Sequence, residues 1–129
     1  MILDSSAVIA LLRDEPDAGR FARAIEEARS VRMSTATYVE LGAVVDSQQD
    51  PIVSRRLDQI LDVAGTVFEP VTLEQARIAR AAYRDFGRGS GHPARLDVGD
   101  TFAYALAKDL GEPLLFKGDD FSHTDVEVA

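Results

Sequence analysis

The hydrophobic positions of this chain fall into very short apolar runs that alternate with longer segments of helical spacing. Ile2-Leu3 ends at a carboxylate, and the apolar run that follows, Ala7–Leu12, is typical of a buried helix. Later segments repeat apolar residues every three or four positions, which predicts five further helices. Short strands that alternate with helices indicate a mostly parallel sheet with helices on both faces.

The predicted elements occupy the whole chain. Strands are expected at 1–4, 30–34, 66–68 and 113–116, with a frayed fifth at 126–128. Helices are expected at 7–12, at 16–28 after Pro16, at 35–49, at 51–64 after Pro51, at 72–86 and at 97–110. Thr72 with Gln75 predicts a capping box for the fifth helix, and Asp97 predicts the cap of the sixth. We therefore expect one three-layer αβα domain, residues 1–129, with a central sheet of four or five strands.

Length and composition agree with one soluble domain that buries a substantial core. The chain has 129 residues, of which 46% are hydrophobic. It has no cysteine, which suits a reducing compartment. Because no apolar run is long enough to span a membrane, we expect a cytoplasmic protein without a membrane partner.

The charge of the chain is unevenly distributed. A formal net charge of -8 argues against a general nucleic-acid binder, since phosphate contacts require lysine and arginine. One segment departs from this average, because five arginines lie between positions 77 and 95 against the single acid Asp85. These arginines are Arg77, Arg80, Arg84, Arg88 and Arg95. A solvated helix face and a local phosphate-binding patch explain the segment about equally well.

Two carboxylates stand in unusual settings in the first third of the chain. Asp4 lies at the carboxyl end of the first strand, where ligands bind in open parallel sheets, although a helix cap explains it locally. Glu40 has no cation three or four residues away on its predicted helix. A carboxylate on an apolar helix face requires compensation from outside the helix, and a metal ion would supply it. A half-exposed face explains Glu40 as well.

Four more carboxylates lie at the ends of predicted elements near the C-terminus. Asp97 and Asp100 begin the sixth helix, where a cap and favourable interaction with the helix dipole explain them, Asp97 most readily. Asp119 and Asp120 follow the fourth strand, where a turn explains one acid more easily than two.

Taken together, these acids are expected to converge at one edge of the sheet. Several carboxylates in one place cannot all ionise without a cation, and ligand sets made only of oxygen select Mg²⁺ or Mn²⁺. The chemistry that suits such a site is metal-assisted hydrolysis of a phosphoester. On this interpretation Asp4 is the first metal ligand, and any capping of the first helix belongs to Ser5 or Ser6.

Four segments of this sequence form a recognisable series: 2–7 (ILDSSA), 33–35 (MST) leading to Glu40, 96–100 (LDVGD) with 104–107 (YALA), and 115–121 (LFKGDDF). Taken in order, they resemble the PIN-domain nucleases and, within them, the VapC-type toxins of bacterial toxin–antitoxin pairs. Each motif is weak by itself, whereas their order and spacing are specific.

The resemblance implies an Mg²⁺-dependent endoribonuclease, with Mn²⁺ as a substitute. It implies Asp4, Glu40 and Asp100 as the core acids, with Asp4 and Asp100 as direct metal ligands and Ser6 as a supporting polar residue. Gly118 occupies the place where many relatives carry the fourth acid, so this role is expected of Asp120 or, failing that, Asp119. Asp97 stands where relatives often have asparagine, and its extra charge would tighten metal binding or only cap the helix.

The resemblance also implies partners. RNA is the expected substrate. Of the local basic segment, Arg77, Arg80, Arg84 and Arg88 are the candidates for holding its phosphates, and a solvated arginine face is the equal alternative. A VapB-type antitoxin is expected to lay its C-terminal segment in a groove and to place an arginine near the acids. The second and fourth helices are candidates for this groove and for a homodimer contact.

Two alternatives to a nuclease remain open at this point. A catalytically inactive PIN-like module would only bind a partner, although the acids expected of an active site are present. A receiver-type signalling domain has a similar length and sheet. It fits poorly, because Asp4 has no acidic neighbour and 66–70 contains no aspartate.

Overall fold

The computed structural model describes all residues from 1 to 129. Its strands are β1 (Ile2–Leu3), β2 (Arg32–Ser34), β3 (Val67–Glu69) and β4 (Leu114–Leu115). Its helices are α1 (Ser5–Leu12), α2 (Ala18–Glu27), α3 (Thr35–Asp46), α4 (Pro51–Val63), α5 (Leu73–Phe86) and α6 (Val98–Leu110). A single 3₁₀ turn, Asp120–His123, follows β4. No helix is long and apolar enough to cross a membrane.

The sheet has four strands in the order β3-β2-β1-β4, and every pairing is parallel. All carboxyl ends therefore lie at one edge, and β1, an interior strand, brings Asp4 to the middle of that edge. A receiver-type sheet follows the order 2-1-3-4-5, in which the third strand lies next to the first. Here β3 is an edge strand beside β2, so the receiver alternative is wrong.

The core has two parts, one on each face of the sheet. Leu3 and Leu115 pack with the buried residues of α1, α2, α3 and α4. Their neighbours Ile2 and Leu114 point to the opposite face and pack against α5 and α6. This alternation follows from the strand period of two, and it produces the predicted three-layer αβα arrangement.

The start of α1 corrects one prediction. The helix begins at Ser5 rather than at Ala7, and Asp4 is its N-cap, with the carboxylate accepting from the backbone N–H of Ser6. The assignment of capping to Ser5 or Ser6 is therefore wrong. Asp4 has the extended backbone of an N-cap because it ends a strand and starts a helix without an intervening loop.

Two other helix starts differ from expectation. Helix α2 begins at Ala18, so Pro16 belongs to the turn before it, and the Asp17 side chain binds Lys117 instead of capping the helix. Thr72 caps α5 as predicted. The side chain of Gln75 does not reach back to complete a capping box, because it is buried and donates to Asp109 of α6.

The remaining segments connect these elements with little regular structure. The predicted fifth strand is reduced to one bridge between Leu114 and Val128. The loop after α5 is held at its base by a bridge between Gly87 and Leu96, and Arg88 donates its backbone N–H to the carbonyl of Leu96 at 2.9 Å. This bridge brings the end of α5 next to the start of α6.

Candidate metal centre

Asp4 is buried, with 2% of its surface exposed, and its two carboxylate oxygens have different environments. Oδ2 accepts from the backbone N–H of Ser6 at 3.0 Å and from the Ser6 hydroxyl at 2.6 Å. Oδ1 is buried and accepts no hydrogen bond. Burial raises the pKa of Asp4, and the negative charge of Asp97 adds to the increase. One oxygen is thus fully used by the protein, and the other is left for a ligand.

Ser6 connects Asp4 to the loop that follows β4. Its hydroxyl donates to Asp4 and accepts from the backbone N–H of Lys117 at 2.9 Å. The Lys117 ammonium in turn binds Glu15 and Asp17, which lie in the turn between α1 and α2. The orientation of Asp4 therefore depends on the corner between α1 and α2 as well as on β1.

Glu40 is half-buried on α3 and has no cationic partner anywhere in the structure. Its Oε1 accepts from the hydroxyl of Ser5 at 3.1 Å. Burial raises the pKa of Glu40, and the nearby charges of Asp97 and Asp4 contribute further. The interpretation of a half-exposed face is therefore confirmed, and compensation of its charge by a metal ion stays a prediction.

Asp97 and Asp100 form a reciprocal capping box at the start of α6. Asp97 Oδ1 accepts from the backbone N–H of Asp100 at 2.8 Å, and Asp100 Oδ2 accepts from that of Asp97 at 3.0 Å. Burial and the charges of Asp4, Asp97 and Glu40 raise the pKa of Asp100 to about 7. Each acid thus spends one oxygen on the cap, as predicted for Asp97.

These four acids are close enough for their charges to interact, but they do not form a tight cluster. Asp4 and Asp97 act on the pKa of both Glu40 and Asp100. No three of the acids are close enough to form a complete metal-binding set on their own.

Asp119 and Asp120 are exposed, and neither side chain makes a hydrogen bond or an ion pair. They lie before and at the start of the 3₁₀ turn, and neither is among the charges that shift the pKa of Asp4, Glu40 or Asp100. The expectation that one of them completes the site stays a prediction.

The donor set fits a hard divalent cation. Asp4 offers a buried oxygen with no partner, Asp100 and Glu40 have raised pKa values, and none of the four acids is neutralised by lysine or arginine. A buried acceptor without a partner costs about 1–3 kcal/mol unless a ligand satisfies it. Carboxylate oxygens without nitrogen or sulfur ligands select Mg²⁺ or Mn²⁺ over softer metals.

Comparison with known families identifies this arrangement. The PIN-domain family model matches residues 1–127. The chain is 59% identical over 129 residues to Ribonuclease VapC28 of Mycobacterium tuberculosis. The aligned region covers 100% of this chain and 97% of that protein. This chain belongs to the VapC ribonucleases of the PIN-domain family. The predicted family and enzyme class are thereby confirmed, and ribonucleases of this family are generally metal-dependent.

Solved structures confirm the VapC fold of the chain. VapC20 of Mycobacterium tuberculosis, titled a Sarcin-Ricin loop cleaving toxin, has a TM-score of 0.77 at 17% identity, covering 99% of this chain and 97% of that one. A toxin-antitoxin complex from Klebsiella pneumoniae has a TM-score of 0.74 at 16% identity, covering 99% and 95%. At these identities the likeness concerns the fold alone.

The arginines of this VapC-family chain lie on the surface of α5 and of the loop that follows it. Arg77, Arg80 and Arg84 are exposed on α5, and Arg88 is exposed in the loop that is bridged to Leu96, one residue before Asp97. Arg84 is paired with Asp85 at 2.9 Å, so part of its charge is already neutralised. The other three make no ion pair.

A second surface feature of this VapC-family chain is a largely apolar groove of about 640 Å³ between α2 and α4. Seven of its ten lining residues are hydrophobic, among them Leu11, Ile25, Ile60 and Val63. It lies where the sequence suggested a groove.

Three contributors to the site were missed from the sequence of this VapC-family chain. They are the Ser5 hydroxyl, the backbone N–H of Lys117, and Gly99, against which Glu40 packs. The first two contacts are tertiary and leave no pattern in the sequence. Gly99 does leave one, because glycine is unfavourable in a helix and here stands in its first turn.

Proposed function

We propose that this chain is an Mg²⁺-dependent endoribonuclease toxin that cuts RNA and is neutralised by a VapB-type antitoxin. The observation that carries the proposal is the unpartnered, buried Oδ1 of Asp4, beside Glu40 and Asp100 with raised pKa values. Oxygen ligands that lack a compensating cation are the arrangement that a metal-dependent nuclease requires. The relatives' name, ribonuclease, supports RNA as the substrate.

Asp4 and Asp100 would hold the metal ion, each through the oxygen that its cap leaves free. When bound, Mg²⁺ supplies polarisation of the scissile phosphate and a lower pKa for water. Asp4 presents Oδ1 in a fixed direction, because Oδ2 is held by two hydrogen bonds from Ser6. The Asp97–Asp100 box fixes the first turn of α6 in the same way, and Asp97 acts there as a cap.

Glu40 is the proposed group for orienting the attacking water and accepting its proton. It is half-buried, and the hydrogen bond from the Ser5 hydroxyl to Oε1 fixes the direction of its carboxylate. A raised pKa brings a carboxylate closer to the range in which a general base works best at neutral pH. Asp120, or else Asp119, is retained as an outer acid that would join the site when RNA and metal are bound.

Arg77, Arg80 and Arg88 are proposed to hold RNA phosphates, with a smaller contribution from Arg84. The backbone hydrogen bond from Arg88 to Leu96 holds Arg88 next to the segment that carries the capping box of α6. Arg77 lies towards the other end of α6, where Gln75 binds Asp109. Phosphate contacts supply sequence-independent affinity that the acidic body of the protein otherwise lacks.

The groove between α2 and α4 is proposed to bind an apolar segment of the antitoxin. Its lining is largely aliphatic, and Glu26 and Arg56 lie at its polar positions, as in a surface that takes an amphipathic helix. The toxin-antitoxin complex of the same fold from Klebsiella pneumoniae supports an antitoxin as the occupant. Val63→Glu, at a groove residue that is 90% exposed, should abolish antitoxin binding and leave RNA cleavage unchanged, whereas Val128→Glu, at an exposed position outside the groove, should affect neither.

Homodimer formation belongs to the same proposal, and sedimentation of the free protein measures it. If Val63→Glu instead converts a dimer to a monomer and leaves antitoxin binding intact, the groove binds a second copy and its assignment to the antitoxin is wrong.

Cleavage of labelled RNA in defined metals tests the function itself. We expect activity with Mg²⁺ or Mn²⁺, no activity after chelation, and recovery when Mg²⁺ is restored. Sequencing of RNA ends after induced expression would then identify the cleaved RNA. Absence of metal-dependent cleavage of any cellular RNA, together with tight antitoxin binding, would establish the inactive partner-binding module instead.

A further inference from the structure

Gly99 lies in the first turn of α6, directly opposite Glu40 of α3. A Cβ atom built at Gly99 would occupy the space of Glu40 Oε2, far inside van der Waals contact, and would lie 3.0 Å from Oε1. The three heavy atoms nearest to that position all belong to Glu40.

We infer that Gly99 is a positioning residue for Glu40, whose carboxylate takes its place beside the metal site only because position 99 has no side chain. The inference rests on the proposed role of Glu40. Two elements fix the position of the Glu40 carboxylate. Ser5 of α1 donates to Oε1, and Oε2 packs against the backbone of α6 at Gly99. Glu40 therefore sits between Asp4, one residue from Ser5, and the Asp97–Asp100 box that flanks Gly99.

Neither helix propensity nor backbone conformation explains a glycine at position 99. Glycine is less favourable than alanine inside a helix, and Gly99 does not adopt the left-handed backbone conformation that would require it. Nothing in the local fold therefore favours glycine here except the side chain of Glu40.

This geometry separates function from stability. The atom that a new Cβ would displace is the far end of a flexible side chain, so Glu40 can rotate away without disturbing the backbone. Gly99→Ala should therefore fold normally, with a melting temperature equal to or above that of the wild type. The displaced carboxylate, however, would lose its contact with Ser5 and its place beside Asp4 and Asp100.

The test compares Gly99→Ala with Gly42→Ala, a helical glycine two residues from Glu40 where an added Cβ makes only ordinary contact, 3.8 Å from Asp46. For Gly99→Ala we expect kcat for RNA cleavage to fall about tenfold to a hundredfold with KM nearly unchanged, the cost of a displaced reacting group. Gly42→Ala should retain the wild-type kcat.

Two further measurements assign the effect to Glu40. Calorimetric titration with Mn²⁺ in the absence of RNA should show about tenfold weaker binding in Gly99→Ala, equal to that of Glu40→Ala. Glu40→Asp shortens the side chain by one methylene, so it should lower kcat in the wild-type background and raise kcat in the Gly99→Ala background. In the Glu40→Ala background, Gly99→Ala should change neither Mn²⁺ affinity nor kcat.

The inference is overturned if Gly99→Ala keeps the wild-type kcat and Mn²⁺ affinity. It is also overturned if Gly99→Ala causes the same loss when Glu40 is already alanine, or unfolds the protein in that background, because the effect would then not pass through Glu40. Failure of the proposed function looks different: Glu40→Gln would retain full activity, whatever residue occupies position 99.

Discussion

At the scale of single residues, the two oxygens of one carboxylate have different surroundings. The sequence posed Asp4 as either a helix cap or a metal ligand; the structure shows the cap, and the metal role is our proposal. Oδ2 caps α1, and Oδ1 is buried without a partner. Asp97 and Asp100 each give one oxygen to the capping box of α6. In the proposed function, the second oxygens of Asp4 and Asp100 are the ones that hold the metal.

The raised pKa of Asp100 predicts an unusual dependence of stability on pH. Its folded-state pKa of about 7 lies above the ordinary value of 3.8, so the folded state binds the proton more tightly. The free energy of unfolding of the metal-free protein should therefore fall as pH rises from about 4 to about 7, with Asp4 and Glu40 acting in the same direction. Acids with lowered pKa values, such as Asp125, lose their stabilising effect only at lower pH.

Urea unfolding at pH 5.5 and pH 8 measures this difference. Excess Mg²⁺ at pH 8 should restore the lost stability, because a ligand that binds only the folded state shifts the equilibrium toward it. Asp100→Asn keeps a capping oxygen and should flatten the profile. A wild-type protein that becomes more stable between these two pH values would contradict the assignment of Asp100.

At the scale of elements, two helix starts and two strand ends build the site, and these were the parts that the sequence could predict. A short apolar run followed by an acid located β1 with Asp4, and the cap residue Asp97 before a buried apolar run located the start of α6 with Asp100. The predicted starts of α2 and α1 were wrong, because local propensity favours Pro16 as the first residue of a helix and the serines as helix caps. Asp17 instead binds Lys117, which is distant in the sequence. Asp4 ends strand β1 and caps α1 directly.

Lys117 illustrates what sequence patterns cannot reveal. Its ammonium joins the turn between α1 and α2 to the loop after β4, while its backbone N–H supports Ser6 and through it Asp4. Its partners Glu15 and Asp17 lie 102 and 100 positions away in the sequence. Such a contact exists only after the sheet has assembled.

We predict that Lys117→Ala reduces RNA cleavage severalfold. Its backbone bond to Ser6 would remain but would no longer be anchored at the corner between α1 and α2. Lys108→Ala serves as the matched control, because Lys108 pairs with Asp125 at 3.0 Å away from the acids. Initial rates at saturating Mg²⁺ measure both variants; equal rates would show that the Lys117 ion pairs have no positioning role.

At the scale of the whole molecule, an acidic protein must bind an acidic substrate. The net charge of -8 opposes RNA at long range, and the exposed arginines of α5 and its following loop provide a local basic segment. Screening by salt weakens both effects, so their balance can be measured.

The dependence of RNA affinity on salt should reveal how many arginines take part. If four arginines contact phosphates of a single strand, the slope of log K against log salt should be about -3. Arg88→Gln should reduce the magnitude of this slope by about 0.7. Arg23→Gln, an exposed position on α2, should leave it unchanged. A slope near zero would exclude the α5 surface from RNA binding.

The central claim is that Asp4 holds a catalytic metal ion, and the Asp4→Asn variant tests it most directly. Asparagine keeps an oxygen that can cap α1 from the position of Oδ2, so the fold should persist with near-native melting, while the charged oxygen at the metal is lost. The measurement is RNA cleavage over an Mg²⁺ titration, with circular dichroism as the check of folding. We predict a folded protein with at least a thousandfold lower cleavage rate at every Mg²⁺ concentration, a loss of about 4 kcal/mol in transition-state stabilisation. A folded Asp4→Asn protein that cleaves RNA at the wild-type rate would contradict the account.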